Sequence, residues 1–426
     1  MTTKKWFSFI LAGLVGQIAW ALENMYFSTF AFYASENINF VTAMTALSAV
    51  TATVTTLLIG ALSDRLGKRK PFISIGYIIW GISIIFFAFL DPYSSISIVN
   101  HQFFLAGTLI VIMDCVMTFF GSTANDACFN ALVTDQTEPN IRGKVESILS
   151  VLPMAAMIII VVLSGVFGAD VNGGRWDIFF YSVGGLTSLI GIILLFLIDK
   201  DSIEPNKDEP YFKNIFYGFR PSVVKKNPSI YILYISMFIF AMAIQIFFPY
   251  LIIYVQKVLE ITDLNFMITI GSVLVVASII TIIVGIFLDR LPKVKLLIPL
   301  ICVTSLGAFL FFLARNMAFV IVSGIIMMSG YMICTAIYAA KGRDYTPDEA
   351  HGKFQGVRMI FLVMLPMVTG PYIGQALSLI NEKTYYNDYG ELVSLPNEYI
   401  FFGTAICVLL AIVPLIFLIR REKKDA

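Results

Sequence analysis

Three carboxylates interrupt long apolar runs in this sequence: Glu23, Asp114 and Asp126. A charged side chain at the centre of an apolar helix costs about 2.5–3.5 kcal/mol on insertion scales, so a carboxyl at that depth is expected to bind or carry something. Glu23 lies 11 residues before the outer end of its run at Ala34, and Asp114 falls at similar depth in a later run. Neither has a basic residue at its level. Desolvation and like-charge repulsion make such a pair a candidate for exchanging a proton near neutral pH. Around Asp126, helical spacing of about 100° per residue separates two faces. Asp114, Gly121 and Asn125 share one, and Ser122, Asp126 and Asn130 share the other. Both faces are not expected to line one narrow cavity. Later polar groups are fewer and more aromatic. Gln245 stands one turn before Pro249, whose missing N–H invites a kink, and Tyr331, Thr335 and Tyr338 share a face suited to stacking on and hydrogen bonding a polar solute. Arg358 and Glu146 open the eleventh and fifth runs at equivalent places.

Other chemistries lack their residues. The five cysteines sit inside apolar runs with no CxxC pair, and His101 and His351 lie outside those runs, so neither a metal site nor a cofactor is expected. No Walker A sequence is present to cradle ATP. A membrane-embedded enzyme would need such a constellation.

The elements that must position these groups follow from composition. Of 426 residues 58% are hydrophobic and 13% charged, against about 25% charged in soluble domains. Mean hydropathy is +0.85. A net charge of +1 without a basic block gives no indication of a nucleic-acid partner. The apolar residues form twelve runs long enough for a hydrocarbon core of about 30 Å, near residues 6–34, 41–62, 71–90, 103–133, 146–168 and 177–198, then 229–255, 264–288, 296–313, 318–341, 357–380 and 398–419. The first run follows Lys4 and Lys5 but shows no small-residue cleavage pattern, so it is read as a span and not a signal peptide. A polar segment separates the sets, giving a six-helix bundle over 1–198, a cytoplasmic linker over 199–228 and a second bundle over 229–426.

Orientation follows from Lys and Arg, which cytoplasmic loops retain. With the N-terminus inside, 25 basic residues fall inside, and only Arg175, Lys257, Arg315 and Lys383 fall outside. An odd number of spans would spoil that partition. Both termini are expected to be cytoplasmic, in the plasma membrane.

The halves repeat. GALSDRLGKRK from Gly60 aligns without a gap to GIFLDRLPKVK from Gly285, and DQTEPNIRGK from Asp135 matches DYTPDEAHGK from Asp344. Each member of the second pair is followed by Leu-Pro-Met, at Leu152 and Leu365. In the first loop Gly60 and Gly67 are expected to allow close helix approach and a tight turn, and Asp64 to accept hydrogen bonds from a helix N-terminus. Arg65 and Lys68 hold the loop inside, and Asp289 and Arg290 are the counterparts in the second half.

These loops resemble the signature of the major facilitator superfamily. That resemblance implies an all-α integral membrane fold of twelve transmembrane helices in two pseudo-symmetric six-helix bundles, with substrate held between parallel repeats. A shorter stretch, Asp126, Phe129, Ala131, Leu132 and Val133, is similar to the D-x-P-F-W-S-L-V segment of the glycoside, pentoside and hexuronide cation symporters. It implies Asp126 as a sugar-hydroxyl acceptor. Cys128 and Asn130 depart from that pattern, and the second span from Val41 to Leu62 has no carboxylate where many of those symporters bind their cation.

The expectation is a monomeric secondary transporter that moves a small polar solute, first a sugar or glycoside, by alternating access coupled to H⁺ or Na⁺. Asp126, Asn125, Asn130, Glu23, Gln245, Tyr331 and Tyr338 are the candidate solute contacts. Glu23, Asp114 and Asp126 are the coupling candidates, and the first loop is a conformational gate. The alternatives are drug or metabolite efflux within the same superfamily and, more remotely, an embedded enzyme or non-transporting receptor. The charge partition is tested by a reporter that is active only outside the cell, fused after Ala426. It should stay silent, and an external signal overturns the topology.

Overall fold

No water in hydrocarbon can take up backbone N–H and C=O groups, so each apolar run closes its hydrogen bonds internally as a helix. The structure, a computed structural model, describes residues 3–137, 145, 148, 149, 151–199, 217–288, 292–346, 351–387 and 391–425. The helices are α1 Thr3–Ser35, α2 Ile38–Leu66, α3 Lys70–Leu90, α4 Phe103–Gln136, α5 Leu152–Phe167 and α6 Trp176–Leu197. They continue as α7 Pro228–Val258, α8 Leu264–Phe287, α9 Lys293–Leu313, α10 Met317–Tyr345, α11 Gly356–Ser378 and α12 Tyr399–Lys423. Among the described residues all but α5 are long and apolar enough to cross a membrane. The described part of α5 has 16 residues, and most of the segment before it lies outside the described set. The twelve expected spans match these helices one for one, with ends shifted by a few residues.

The chain divides into two compact units, Met1–Tyr211 and Phe212–Ala426. Helices α1–α6 form the first and α7–α12 the second. Of the expected linker, 200–216 lies outside the described residues. Its remaining part includes a short helix, Pro221–Lys226, and Gly218, whose carbonyl accepts a hydrogen bond from the Tyr231 hydroxyl. That part packs on the second unit.

Lipid supplies no hydrophobic force between helices, so close packing of small residues must hold them together. In the first unit α3 meets α6 at a pair of glycines. A Cβ on Gly81 would lie 2.3 Å from the Gly184 carbonyl oxygen, and one on Gly184 would lie 2.6 Å from that of Gly81. The Ser188 hydroxyl donates to the Ile78 carbonyl at 2.9 Å along the same seam. Toward the far end of α1, Phe27, Phe30, Phe87, Trp176 and Phe180 interlock as a fully buried aromatic cluster.

In the second unit α7 is interrupted. Its α-helix ends at Gln245, followed by a 3₁₀ turn Phe248–Tyr250 and a π-helical stretch Tyr254–Val258. Pro249 removes one backbone donor at the break. Helix α11 covers the interruption, because a Cβ on Gly374 would lie 2.0 Å from the Ile246 carbonyl oxygen and the Tyr250 hydroxyl donates to the Pro371 carbonyl at 2.8 Å. One feature adds to the all-helical plan. Between α11 and α12 an antiparallel hairpin pairs β1 Lys383–Tyr386 with β2 Leu392–Leu395, in register Lys383 to Leu395. Its four-residue strands alternate less and more exposed side chains, as a half-covered ribbon does. Glu398 anchors it through Lys383 at 2.7 Å and Arg315 at 3.3 Å.

The glycine seam yields a stability test. Gly81→Ala forces α3 away from α6 and should cost about 1–3 kcal/mol, the usual range for overpacking. Gly185→Ala, where nothing lies within 4 Å of the new methyl, should leave stability unchanged or slightly raised. Melting of both variants in detergent checks this, and equal Tm values would refute the seam's role.

Candidate functional site

The first unit gathers its ionisable groups where α1 leaves α-helical geometry. At Glu23 the helix widens into a π-helical stretch, Glu23–Phe27, and returns to α-helix at Ser28. Single π-helical turns often accompany functional positions. The Glu23 carboxyl is buried, and its Oε1 accepts the Ser48 hydroxyl of α2 at 2.7 Å and the Thr118 hydroxyl of α4 at 3.1 Å. The two hydroxyls also touch each other at 3.0 Å. Each hydroxyl carries one proton, so two protons face three contacts. A third, on the carboxyl, would complete the triangle. Glu23 Oε2 is buried without a partner.

Asp114 lies one turn before Thr118 on α4, is 1% exposed, and neither of its oxygens has a hydrogen-bond partner. It is close enough to Glu23 for their charges to repel. Among the described residues no Lys or Arg forms an ion pair with either carboxyl. Two buried carboxyls thus lie beside the Ser48 and Thr118 hydroxyls with no ion-paired cation among the described residues.

The sequence reading placed Asp114 and Asp126 on separate faces of a continuous α-helix, but α4 is π-helical from Ser122 to Phe129, and the wider turn changes the register between the two residues. Asp126 also comes within electrostatic reach of Glu23. Its Oδ2 accepts the Ser122 hydroxyl at 3.1 Å, and its side chain is partly open. Asn130 is exposed one turn on, with its amide donating to the Asp126 carbonyl at 3.2 Å. Asn125 points elsewhere. It is buried and donates at 2.8 Å to the Tyr77 hydroxyl, which donates at 2.7 Å to the Ala12 carbonyl of α1. The close packing of Gly16 beneath this pair, where a Cβ would fall 2.1 Å from the Asn125 amide nitrogen, makes it a clamp between α1, α3 and α4.

In the second unit Gln245 ends the α-helical part of α7, its Oε1 buried without a partner. Tyr331 of α10 is half-buried and stacks on Phe240 with an 11° interplanar angle. Tyr338 is buried, and its hydroxyl contacts Ser236 Oγ at 2.6 Å, which in turn donates to the Ala411 carbonyl at 2.8 Å. That hydroxyl is engaged within the unit.

The signature loop differs from expectation in detail. Gly67 has φ +63° and caps α2, the tight turn expected of it. Gly60 makes no close approach, since nothing lies within 4 Å of an added Cβ. Among the described residues Asp64 takes no helix N-terminus. It pairs instead with Arg69, a 4% exposed guanidinium that also reaches Ser63 Oγ and, at 3.2 Å, Asp135 at the end of α4. Arg65 and Lys68 are exposed. Asp289, Arg290 and Glu146 lie outside the described residues.

Sequence reasoning missed several of these groups. Ser48 and Thr118 look like any hydroxyls in apolar helices, where bonding to the carbonyl four residues back is ordinary, as at Thr42 and Thr45. Gln17, Trp20 and Asn24 recur at helical spacing on α1 and are left partly or fully exposed, while the Trp20 ring tilts against Trp80 at 5.0 Å. Only the spacing of uncharged polar residues could have signalled that stripe.

No curated protein matches the sequence. By structure the chain is similar to the nucleoside transporter NupG, with a TM-score of 0.68 at 11% identity over 99% of this chain and 100% of that one. It is similar to the D-xylose–proton symporter, with a TM-score of 0.64 at 15% identity over 97% of each chain. A bacterial homologue of the human lysosomal transporter Spinster, in an inward-facing and occupied conformation, gives 0.70 at 12% identity over 99% of this chain and 98% of that one. These likenesses concern the fold. The family model described as Major Facilitator Superfamily matches residues 6–371, most of the chain and both helical units, and on that match the chain belongs to the Major Facilitator Superfamily of membrane transporters.

Proposed function

We propose that this transporter concentrates a small polar solute, a sugar or glycoside, by alternating access coupled to proton movement. It works as a monomer in the plasma membrane with both termini in the cytoplasm. The observation that carries this reading is the buried pair Glu23 and Asp114, of which Glu23 is held against two hydroxyls that are one proton short of satisfying every contact. Burying a bare charge costs several kcal/mol after relaxation, so this pair demands neutralisation, and a proton fits the hydroxyl triangle. A sodium ion is the competing neutraliser. Among similar structures, one is of a D-xylose–proton symporter and another of a nucleoside transporter, both named for hydroxyl-bearing solutes.

In the first unit the solute contacts are Asp126, Asn130 and the stripe of Gln17, Trp20 and Asn24. These supply hydrogen-bond acceptors, donors and an aromatic face. In the second unit the unpartnered Gln245 and the stacked Tyr331 serve the same purpose. Asn125 and Tyr338, whose polar atoms are committed within their units, hold helices in place. The Asp64–Arg69–Asp135 network holds the gate loop in one conformational state and releases it in the other.

Coupling is tested in vesicles by uptake and counterflow of D-xylose, a nucleoside and a small panel of glycosides. A gradient of about one pH unit is worth about 1.4 kcal/mol, a tenfold accumulation for one proton per solute. Glu23→Gln and Asp114→Asn keep size and hydrogen bonding but fix each group neutral. At least one should bring accumulation down to the passive level and spare counterflow. Asp126→Asn should abolish both. Accumulation at the wild-type level in all three variants would defeat proton coupling through these carboxyls, and accumulation that follows sodium would favour the competing ion.

A further inference from the structure

Two hydroxyls in the first unit depart from the rule that others in the same helices keep. A Ser or Thr inside a helix ordinarily donates to the carbonyl four residues back, as Thr42 and Thr45 do on α2 at 3.1 and 3.0 Å and Thr108 and Thr134 do on α4 at 2.8 and 3.0 Å. Ser48 of α2 and Thr118 of α4 turn away from their own helices. Their hydrogen bonds go to Glu23 and to each other. A hydroxyl offers one donor and two acceptor positions and turns to suit its neighbours, so one that is not tied to its own backbone can accept a proton from one group and donate to another.

Ser48 is near both buried carboxyls. Its Oγ lies 2.7 Å from Glu23 Oε1 and close enough to Asp114 to act on that carboxyl, although no hydrogen bond joins them in this conformation. Thr118, one turn beyond Asp114 on α4, contacts Ser48 at 3.0 Å and Glu23 at 3.1 Å. Among the described residues the other ionisable side chains within electrostatic reach are Asp126 and Cys115, both of α4. Helix α2 brings none at this level, since its Asp64 and Arg65 stand in its last turn.

The two carboxyls are not equally reachable. Glu23 is 9% exposed and precedes the exposed Asn24, whereas Asp114 is 1% exposed with both oxygens buried. Both hydroxyls are buried as well. A proton bound for Asp114 therefore has to be handed on by a side chain, and the Ser48 hydroxyl is the one that meets Glu23 and stands beside Asp114.

We infer that Ser48 relays a proton from Glu23 to Asp114, with Thr118 as the positioning residue that keeps the Ser48 hydroxyl in line. In the step, protonated Glu23 gives its proton to Ser48 Oγ as the original Ser48 proton passes to the Asp114 carboxylate. One O–H bond breaks at Glu23 and one forms at Asp114, Ser48 ends as it began, and the negative charge moves from Asp114 to Glu23. Glu23 is then free to take the next proton. The relay rests on the proposed proton coupling through these carboxyls and gives them an order, Glu23 first and Asp114 second. It does not depend on which solute is moved.

The test follows deuterium into each carboxyl, so no solute is needed. The purified full chain in phosphatidylcholine nanodiscs is mixed rapidly from H₂O into D₂O buffer across a series of pH values. The infrared C=O stretch of each protonated carboxyl is recorded, with Glu23→Gln and Asp114→Asn identifying the two bands. In the wild type both bands should shift at similar rates. In Ser48→Ala the Glu23 band should shift as before and the Asp114 band about a hundredfold more slowly, the lower end of what a positioned proton-transfer group contributes. Ser48→Thr should restore the rate, and Thr118→Val, which removes a support and leaves the bridge, should slow it less. Should Ser48→Ala not fold, Ser48→Cys, with its weaker donor, carries the comparison and should lie between. Asp114 exchange at the wild-type rate in Ser48→Ala, or an equal change in both bands, overturns the relay. So does a band from one carboxyl alone, which leaves coupling through that group intact; no band from either at any pH overturns the coupling itself and the relay with it.

Discussion

A bilayer satisfies neither a hydrogen bond nor a charge, and everything polar in this chain is arranged under that constraint. The helices themselves are its first consequence, since only they close their backbone bonds internally. Where a helix departs from α geometry, something nearby must compensate. Helix α1 widens at Glu23–Phe27 while keeping a helical ladder, and α7 breaks between Gln245 and Leu251 under the cover of Gly374 and Pro371. The offset of 225 between the two signature loops carries Glu23–Phe27 onto 248–252, which begins in the broken part of α7. Both halves therefore leave regular helix at the same place in their repeat, one by widening and the other by interruption.

The halves differ in what they place there. The first unit brings carboxyls together from α1 and α4, with hydroxyls from α2 and α4. In the second unit aromatic rings and amides take their place. The offset of 209 between the paired Asp135 and Asp344 loops maps Asp126 onto Thr335, whose hydroxyl is spent on the Tyr331 carbonyl at 2.9 Å. No carboxyl stands at the matching depth of α10. The repeat is kept in the helices and not in their chemistry, so the buried carboxyls described here belong to one half.

Much of the fold was legible because hydrophobic length is a first-order effect in a membrane. Runs of about 20 apolar residues have few alternatives to helix. The meeting of Glu23 and Asp114 was legible from depth alone. What escaped the sequence depends on small differences in backbone geometry. A π-helical stretch from Ser122 to Phe129 carries no residue signature, yet it changes the register of Asp126 against Asp114. In the signature loop Arg65, Lys68 and Arg69 are chemically alike, and only the turn at Gly67 determines that Arg69 is drawn inward between Asp64 and Asp135. The β1–β2 hairpin was hidden in a segment whose hydropathy simply ends a span.

Glu23 and Asp114 are buried negative groups with no ion-paired cation among the described residues, and burial favours the form of a carboxyl that has bound a proton. Under the proposed coupling such a pair can be neutralised and re-ionised by proton exchange alone, whereas a resident counter-ion would have to leave and return on each turnover. An arginine cannot shed its proton at any physiological pH, so the buried Arg69 of the signature loop is matched instead by fixed carboxylates, Asp64 and Asp135. Where charge is buried in this chain, the acidity of the side chain separates the group that a proton can neutralise from the one that needs a permanent partner.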